Sequence, residues 1–142
     1  MPIPDRQLMQ LIPVPAKFID YAWSEGASCL AESCEGLDEL TGDQLKMILS
    51  RGERVLLKMQ DADKIAGWGV IRIDQLPNIR VLFITNLVAH NGGFERFFDA
   101  IKAIAKSEGC SQVRCAAKDA QARLYRMKSG FEPVYQILRA NV

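Results

Sequence analysis

Histidine is the scarcest chemically useful residue in this sequence, and cysteine is present in spacings that do not suit a metal. The one histidine is His90, and the four cysteines form two C-x4-C pairs, Cys29 with Cys34 and Cys110 with Cys115. Structural zinc sites use closer C-x2-C spacing or several histidines, so we expect no metal. The cysteines are interpreted as reduced thiols that pack as small hydrophobic side chains.

An excess of one charge sign and a long apolar run are also missing. The 142 residues carry a formal net charge of +1, with the two signs interspersed. A nucleic-acid-binding domain usually presents a basic face, so we expect no nucleic-acid partner. No apolar run approaches the roughly 20 residues that cross a bilayer, and Asp5 and Arg6 precede the first apolar run, unlike in a signal peptide. We therefore expect one domain, residues 1–142, in the cytoplasm and without a membrane partner.

The N-terminal third predicts two helices. Apolar residues at helical spacing follow Pro15, and Gly26 is expected to weaken this first helix without breaking it. Thr41 is predicted to cap the second helix, which ends at Arg51-Gly52. Residues 25–43 contain six acidic residues and no basic one. This segment is interpreted either as a solvated polar face or as an acidic rim that attracts a cationic amine.

Three strands in series are predicted next, over residues 53–60, 65–74 and 79–88. Asp61-Ala62-Asp63-Lys64 and Gln75-Leu76-Pro77-Asn78 separate them with residues that favour turns. Short turns join neighbouring antiparallel strands, so these residues predict an antiparallel meander.

The stretch from residue 82 to residue 135 predicts a βαβ unit followed by a second helix and a last strand. An apolar run ends at Gly92-Gly93, and an amphipathic helix begins at Phe94 and stops near Gly109. A short strand over residues 112–116 follows. It is expected to run parallel to the strand at residues 79–88. The N-terminus of such a crossover helix is a favourable position for an anion.

This order of elements resembles the GNAT superfamily of N-acetyltransferases, and local motifs carry the resemblance. Ile65-Ala66-Gly67-Trp68-Gly69 is similar to a family strand, and residues 97–110 match the family's pyrophosphate helix in length. Residues 122–132 are similar to the family's A-x-x-L-Y-x-x-x-G-F ending. The Gly-Gly-Phe junction resembles the one in small bacteriophage-encoded members of the family. The resemblance implies an α/β (α+β mixed) fold: a central mixed, mainly antiparallel sheet, two N-terminal helices and a C-terminal βαβαβ portion.

The resemblance also implies acetyl-CoA as a co-substrate, bound where the third strand meets the Phe94 helix. Two positions depart from the family loop Q/R-x-x-G-x-G/A: Ala89 holds its first position and Phe94 its last. The Phe94 ring is expected either to turn into the core, which leaves the backbone amides open, or to crowd the anion site. The implied cofactor-binding residues are Leu87, Val88, His90, Asn91, Gly92, Gly93 and Phe94.

Catalytic residues follow less directly from the resemblance. Family members use a tyrosine four residues before the Gly-Phe pair to protonate the departing thiolate, whereas Tyr125 lies five residues before Gly130. Either Tyr125 acts as the acid, or Arg126, which holds the family spacing, stabilises the thiolate. Thr85 and Asn86 stand where a carboxylate base is common. The base therefore stays open among Asp74, Glu25, Glu35 and His90.

Two functions are compatible with these residues. The first is an acyl-CoA-dependent N-acetyltransferase in which a small-molecule amine or a protein amine attacks the acyl group directly. The second is a catalytically inactive GNAT-like structural or protein-binding module, of a phage particle or its assembly, found in the particle or in an infected host cell. A homodimer or a protein partner is compatible with both.

Overall fold

Five strands form one sheet and follow one another across it in chain order. The protein, represented by a computed structural model, is described over residues 9–36, 38–90 and 94–142. Strands β1 to β4 pair antiparallel, and β4 and β5 pair parallel. The predicted mixed, mainly antiparallel sheet is thus confirmed, including the parallel pair. The strands are β1 (Gln10–Val14), β2 (Val55–Asp61), β3 (Lys64–Gln75), β4 (Arg80–Ala89) and β5 (Gln112–Cys115).

Helices cover both faces of this sheet. Within the described ranges they are α1 (Ile19–Glu25), α2 (Gly42–Ser50), α3 (Phe94–Ser107) and α4 (Asp119–Ser129). A 3-10 turn (Ala16–Phe18) precedes α1, and a longer segment, called the 3-10 segment (Ala27–Cys34), lies between α1 and α2. Thr41 caps α2 as predicted: its Oγ1 accepts from the Gln44 N–H at 3.2 Å, and Gln44 Oε1 accepts from the Thr41 N–H at 2.9 Å. None of the helices in these ranges is long and apolar enough to cross a membrane.

Gly26 ends the first helix, which corrects the expectation that the helix would continue through it. Its φ of 143° lies in a region that side chains with a Cβ rarely adopt. A Cβ at this position would also lie 3.4 Å from the indole Nε1 of the buried Trp68. The chain therefore changes direction at Gly26, and the 3-10 segment packs its buried Ala27 and Leu30 against the sheet side of the molecule.

Both ends of the described chain differ from the sequence prediction. Strand β1 is not predicted, because prolines interrupt its apolar pattern; it is an edge strand, where the missing N–H of Pro13 is tolerated. Residues 130–142 of the described chain form no strand, so the last strand of the predicted βαβαβ portion is absent. That segment has the composition of a strand, but a strand also needs a neighbouring edge to satisfy its backbone groups.

Two apolar clusters, one on each face of the sheet, form the core, because successive strand residues point to opposite faces. Gly69 allows α3 to approach closely, since a Cβ there would lie 3.1 Å from the Phe97 ring. The cluster under α3 contains Leu57, Met59, Leu82, Ile84, Phe97, Phe98 and Ile101. The cluster under α1, α2 and the 3-10 segment contains Ile19, Leu30, Leu45, Leu49, Leu56, Trp68 and Val70.

Candidate active site

Strands β4 and β5 pair only along the first half of β4, and beyond that point the pairing stops, which leaves an opening along β4. The last paired residues are Ile84 and Cys115, and no described β5 residue pairs with residues 85–89. Thr85 is the extra residue of a β-bulge, because Asn86 lies opposite Val70 while Ile84 lies opposite the next residue of β3. A bulge bends its strand and interrupts pairing. We call this opening, with Cys115 at its apex and residues 85–89 along one side, the β4–β5 cleft.

The cofactor-binding residues predicted on β4 lie along this cleft. Leu87 packs with the cluster under α3, whereas Val88 packs with the cluster on the opposite face. His90 is exposed, and its backbone N–H donates to the Ala66 carbonyl at 2.8 Å, which holds the end of β4 against β3. The predicted residues Asn91, Gly92 and Gly93 lie outside the described residues.

The Phe94 ring packs toward the interior, which is the inward one of the two orientations expected. It is stacked on Tyr125, with ring centroids 4.3 Å apart and an interplanar angle of 12°. It also lies parallel to the Phe98 ring, with centroids 6.0 Å apart and an angle of 5°. Phe94 is half-buried. The first residue of α3 thus directs its ring toward α4 and joins the two helices.

Of the two candidate catalytic residues, Tyr125 faces α3 and Arg126 is exposed at the surface. Burial raises the pKa of Tyr125 above 10.0, a hydrogen bond with Gln121 lowers it in part, and the neighbouring Cys115 thiol raises it. Burial also raises the pKa of Cys115 to about 11. The Tyr125 phenol and the Cys115 thiol are therefore both protonated at neutral pH.

Asn86, the residue after the bulge, links β4 to the 3-10 segment. It is 7 % exposed, and its Nδ2 donates to Ser33 Oγ at 2.9 Å. Its Oδ1 is buried and has no hydrogen-bond partner among the described residues. Neither this amide nor the Thr85 hydroxyl, which donates to the Val70 carbonyl at 3.3 Å, is a base near neutral pH.

The three carboxylates considered as bases lie in different parts of the fold relative to the β4–β5 cleft. Asp74 is opposite Val81 at the start of β4, away from Thr85, and it forms an ion pair with Arg72 at 3.0 Å. Glu25 is paired with Lys58 at 2.8 Å. Glu35 is exposed and directly follows Cys34, whose sulfur lies 3.7 Å from Asn86 Nδ2. Of these three carboxylates, Glu35 is therefore the one that is adjacent in sequence to a residue in contact with Asn86.

Several site residues are not evident from the sequence. The bulge at Thr85 depends on the register between β3 and β4, which local residue patterns do not specify. Cys115 reaches the apex only through its pairing with Ile84. Gln121 did have a sequence signal, because it precedes Tyr125 by four residues in a predicted helix and therefore lies on the same helical face.

No protein-family model matches this chain, and no curated protein matches it by sequence. Solved structures do match its fold. An aminoglycoside acetyltransferase from an uncultured soil metagenomic sample is 12% identical with a TM-score of 0.67, covering 96% of this chain and 98% of that chain. A ribosomal-protein-alanine N-acetyltransferase from Brucella melitensis is 13% identical with a TM-score of 0.67, covering 94% and 99%. An aminoglycoside N-acetyltransferase in complex with CoA is 12% identical with a TM-score of 0.63, covering 99% of both chains. The fold is therefore that of GNAT acetyltransferases.

Proposed function

We propose that the protein is an N-acetyltransferase that transfers an acetyl group from acetyl-CoA to an amine by direct attack. The observation that supports this most strongly is the β4–β5 cleft. The cleft begins at the Thr85 bulge. The unpaired half of β4 runs along it, and the next helix in the chain is α3, which begins at Phe94. Tyr125 lies against that residue. A strand edge, a helix N-terminus and a phenol thus adjoin one opening.

The described residues fit the CoA molecule that this activity requires. Its pantetheine arm carries two amide groups, and residues 85–89 of β4 offer backbone groups that β5 does not pair. Its pyrophosphate is an anion, which suits the N-terminus of the 14-residue helix α3. When bound, acetyl-CoA would supply an acyl group activated as a thioester. The residues that would hold it are Leu87, Val88, His90, Asn91, Gly92, Gly93 and Phe94.

Tyr125 is the residue that we propose as the general acid. Its hydroxyl is protonated at neutral pH because burial raises its pKa above 10.0. A phenol and an alkyl thiol have pKa values within about two units of each other, so the phenol can donate its proton to a departing thiolate. The Phe94 ring restricts the Tyr125 ring by stacking on it, which fixes the direction of the hydroxyl. Arg126 is the alternative, acting on the thiolate through its charge.

The acceptor that we propose is an amine that carries positive charge. Glu32 and Glu35 are exposed, and they flank in sequence the Ser33-Cys34 pair that contacts Asn86. A negative rim raises the local concentration of cations. Three of the solved structures with this fold are of aminoglycoside acetyltransferases, one of them in complex with sisomicin.

One observation favours a second candidate, the inactive GNAT-like module that serves as a structural or protein-binding part of a phage particle or its assembly. The positions directly after Ile84 hold Thr85 and Asn86, and the Asn86 amide is buried against Ser33 instead of facing solvent. A module without catalysis would have no need of a base there.

Calorimetric titration of the wild-type protein with acetyl-CoA tests the proposal. Binding is expected, followed by release of free thiol when a panel of small-molecule and peptide amines is added. Absence of binding heat would favour the inactive module. Binding without turnover on any amine would also count against an enzyme.

The Tyr125→Phe variant tests the acid. Turnover should fall by about 100- to 10,000-fold, while acetyl-CoA affinity changes little. Met127→Ala is the matched control, because Met127 lies on the same helix and its side chain is 75% exposed. If Tyr125→Phe kept wild-type turnover, the acid would have to be another group, with Arg126 tested next.

A further inference from the structure

Three arginines and one phenylalanine form a row across strands β2 to β5. Arg72 of β3 lies opposite Phe83 of β4, and Phe83 lies opposite Arg114 of β5. Arg54 directly precedes β2, whose first residue pairs with the residue before Arg72, so Arg54 continues the row on the other side of Arg72. We call these four residues the arginine row.

The arginine row lies on the face of the sheet that carries α1 and α2. Leu82 and Val113, which precede Phe83 and Arg114 on their strands, pack in the cluster under α3. Successive side chains alternate between the two faces, so the row lies on the other one. No residue of the row belongs to the apolar cluster on that face, and all four are partly exposed. The row is therefore a cationic surface that a ligand can reach.

The positive charges of the row are only partly neutralised within the protein. Like charges opposite one another on neighbouring strands destabilise a sheet. Burial and the neighbouring Arg72 charge lower the pKa of Arg54, while nearby carboxylates raise it in part. Arg72 is paired with Asp74 at 3.0 Å. Among the described residues Arg54 and Arg114 form no ion pair, so two of the three guanidinium groups are available to an anion.

Contacts within the sheet hold two of these arginines in place and leave their terminal N–H groups free. The Cζ of Arg72 lies 4.6 Å from the centroid of the Phe83 ring, and its Nε donates to the Asp74 carboxylate. The Nε of Arg114 donates to Gln112 Oε1 at 2.9 Å. The terminal nitrogens of both guanidinium groups have no acceptor among the described residues. Such paired donors fit the oxygens of a carboxylate or a phosphate.

The arginine row adjoins the β4–β5 cleft. Phe83 precedes Thr85, where the cleft begins, by two residues, which is about 7 Å along a strand. Besides burial and Arg72, the Cys34 thiol acts on the pKa of Arg54, which places these two side chains near one another. The Cys34 sulfur in turn lies 3.7 Å from Asn86 Nδ2. A molecule whose amine reaches the cleft can therefore place an anionic group on the row.

We propose that the acceptor carries a carboxylate or a phosphate in addition to its amine, and that the arginine row binds this oxyanion. The inference rests on the proposed acetyl transfer, of which it specifies the acceptor. The acidic residues Glu32 and Glu35 attract the amine and the row attracts the oxyanion, so the two surfaces orient the acceptor. The row thus selects amines that also carry a negative charge.

Binding measured without turnover tests the row independently of acetyl transfer. The probes are ε-aminocaproate, with hexylamine as its match without the carboxylate, and phosphoethanolamine, with ethanolamine as its match without the phosphate. The arginine Nε–Hε NMR signals of the row, recorded with and without CoA, should shift with at least one anionic probe and stay unchanged with both matches. No shift with either anionic probe, or equal shifts with the matches, would overturn the proposal.

The two matched pairs also separate this proposal from the proposed activity. Shifts with an anionic probe but no acetylation of any amine would refute the transferase and support the row. Acetylation of hexylamine as efficiently as ε-aminocaproate, and of ethanolamine as efficiently as phosphoethanolamine, would support the transferase and refute the row. A response to only one anionic probe identifies the oxyanion as carboxylate or phosphate.

Substitutions in the row test which side chains bind the oxyanion. Arg72→Gln should weaken binding of the anionic probe about tenfold, and Arg72→Lys should restore only part of it, because an ammonium lacks the planar pair of donors. Arg114→Gln, which leaves the Asp74 ion pair intact, should also weaken binding. Lys64→Gln removes one exposed charge at the other end of β3 and is the control, with wild-type affinity expected. Wild-type affinity in both folded glutamine variants, with folding checked by circular dichroism, would overturn the proposal.

Discussion

Residues 9–105 and residues 106–142 contribute very differently to this fold. All of the buried side chains in the described structure lie between Met9 and Ala105, and none of residues 106–142 is buried. The contrast is sharpest between the two C-terminal helices. Helix α3 buries Phe97, Phe98 and Ile101, whereas α4 buries no residue. Most of the hydrophobic stabilisation therefore comes from the first region.

The second region nevertheless contains Tyr125, the proposed acid. Tyr125 is held by its stack on Phe94, and Phe131, which follows α4, packs on Phe98. A segment with little buried surface opens locally at lower free energy than a core strand. We therefore expect α4 to be stabilised when CoA binds beside it.

The largest expected effect is the loss of a core side chain from the first region. Phe97 is fully buried, so Phe97→Ala should lower the free energy of unfolding by about 3–5 kcal/mol. Met127→Ala in the second region should change it by less than about 0.5 kcal/mol. Denaturant unfolding of both variants measures the difference. Similar losses would show that α4 belongs to the cooperative core.

A smaller effect is expected at the contact between the two regions. Phe94 is half-buried, so Phe94→Ala should lower the free energy of unfolding by about 1–2 kcal/mol, less than a buried phenylalanine would. Because its ring stacks on Tyr125, amide hydrogen exchange should accelerate in α4. Exchange in α2, on the opposite face, should be unchanged. Equal acceleration in both helices would contradict a local role for this ring.

The smallest effect concerns an exposed ion pair within the first region. The Arg96 guanidinium, 2.6 Å from Asp61, holds the pKa of that carboxyl below its usual 3.8. A folded-state pKa below the unfolded one stabilises the protein above about pH 3.8, and the stabilisation is lost as the pH falls through the lowered value. Asp61→Asn should therefore lower stability slightly at pH 7 and make unfolding less dependent on pH in acid.

Substitution of Arg96, the partner of Asp61 in this ion pair, provides the check on this prediction. Arg96→Gln should produce the same change, and the double variant should add nothing further, because both substitutions remove one interaction. Additive losses would mean that the two side chains act independently.

Local residue patterns predicted the parts of the fold in which neighbours along the chain determine the structure. Thr41 and Gln44 cap α2 through bonds across three residues. The apolar period of α3 and the turns on both sides of β3 are equally local, and they imply the antiparallel meander and the parallel crossover. Helical spacing accounts for the inward one of the two orientations expected for Phe94, in which its ring lies near Phe97 and Phe98.

Tertiary structure decided the features that depend on residues distant in the chain. Gly26 ends α1 where Trp68 packs, and Thr85 becomes a bulge only through the register of β3 against β4. A strand formed where none was predicted, at β1, and none formed where one was predicted, in residues 130–142 of the described chain. A strand exists only when another edge accepts its hydrogen bonds, and a cleft exists only where that pairing stops. The amino-acid sequence thus determined which segments are able to form helices and strands, while the available partners determined which strands formed and where the candidate site opened.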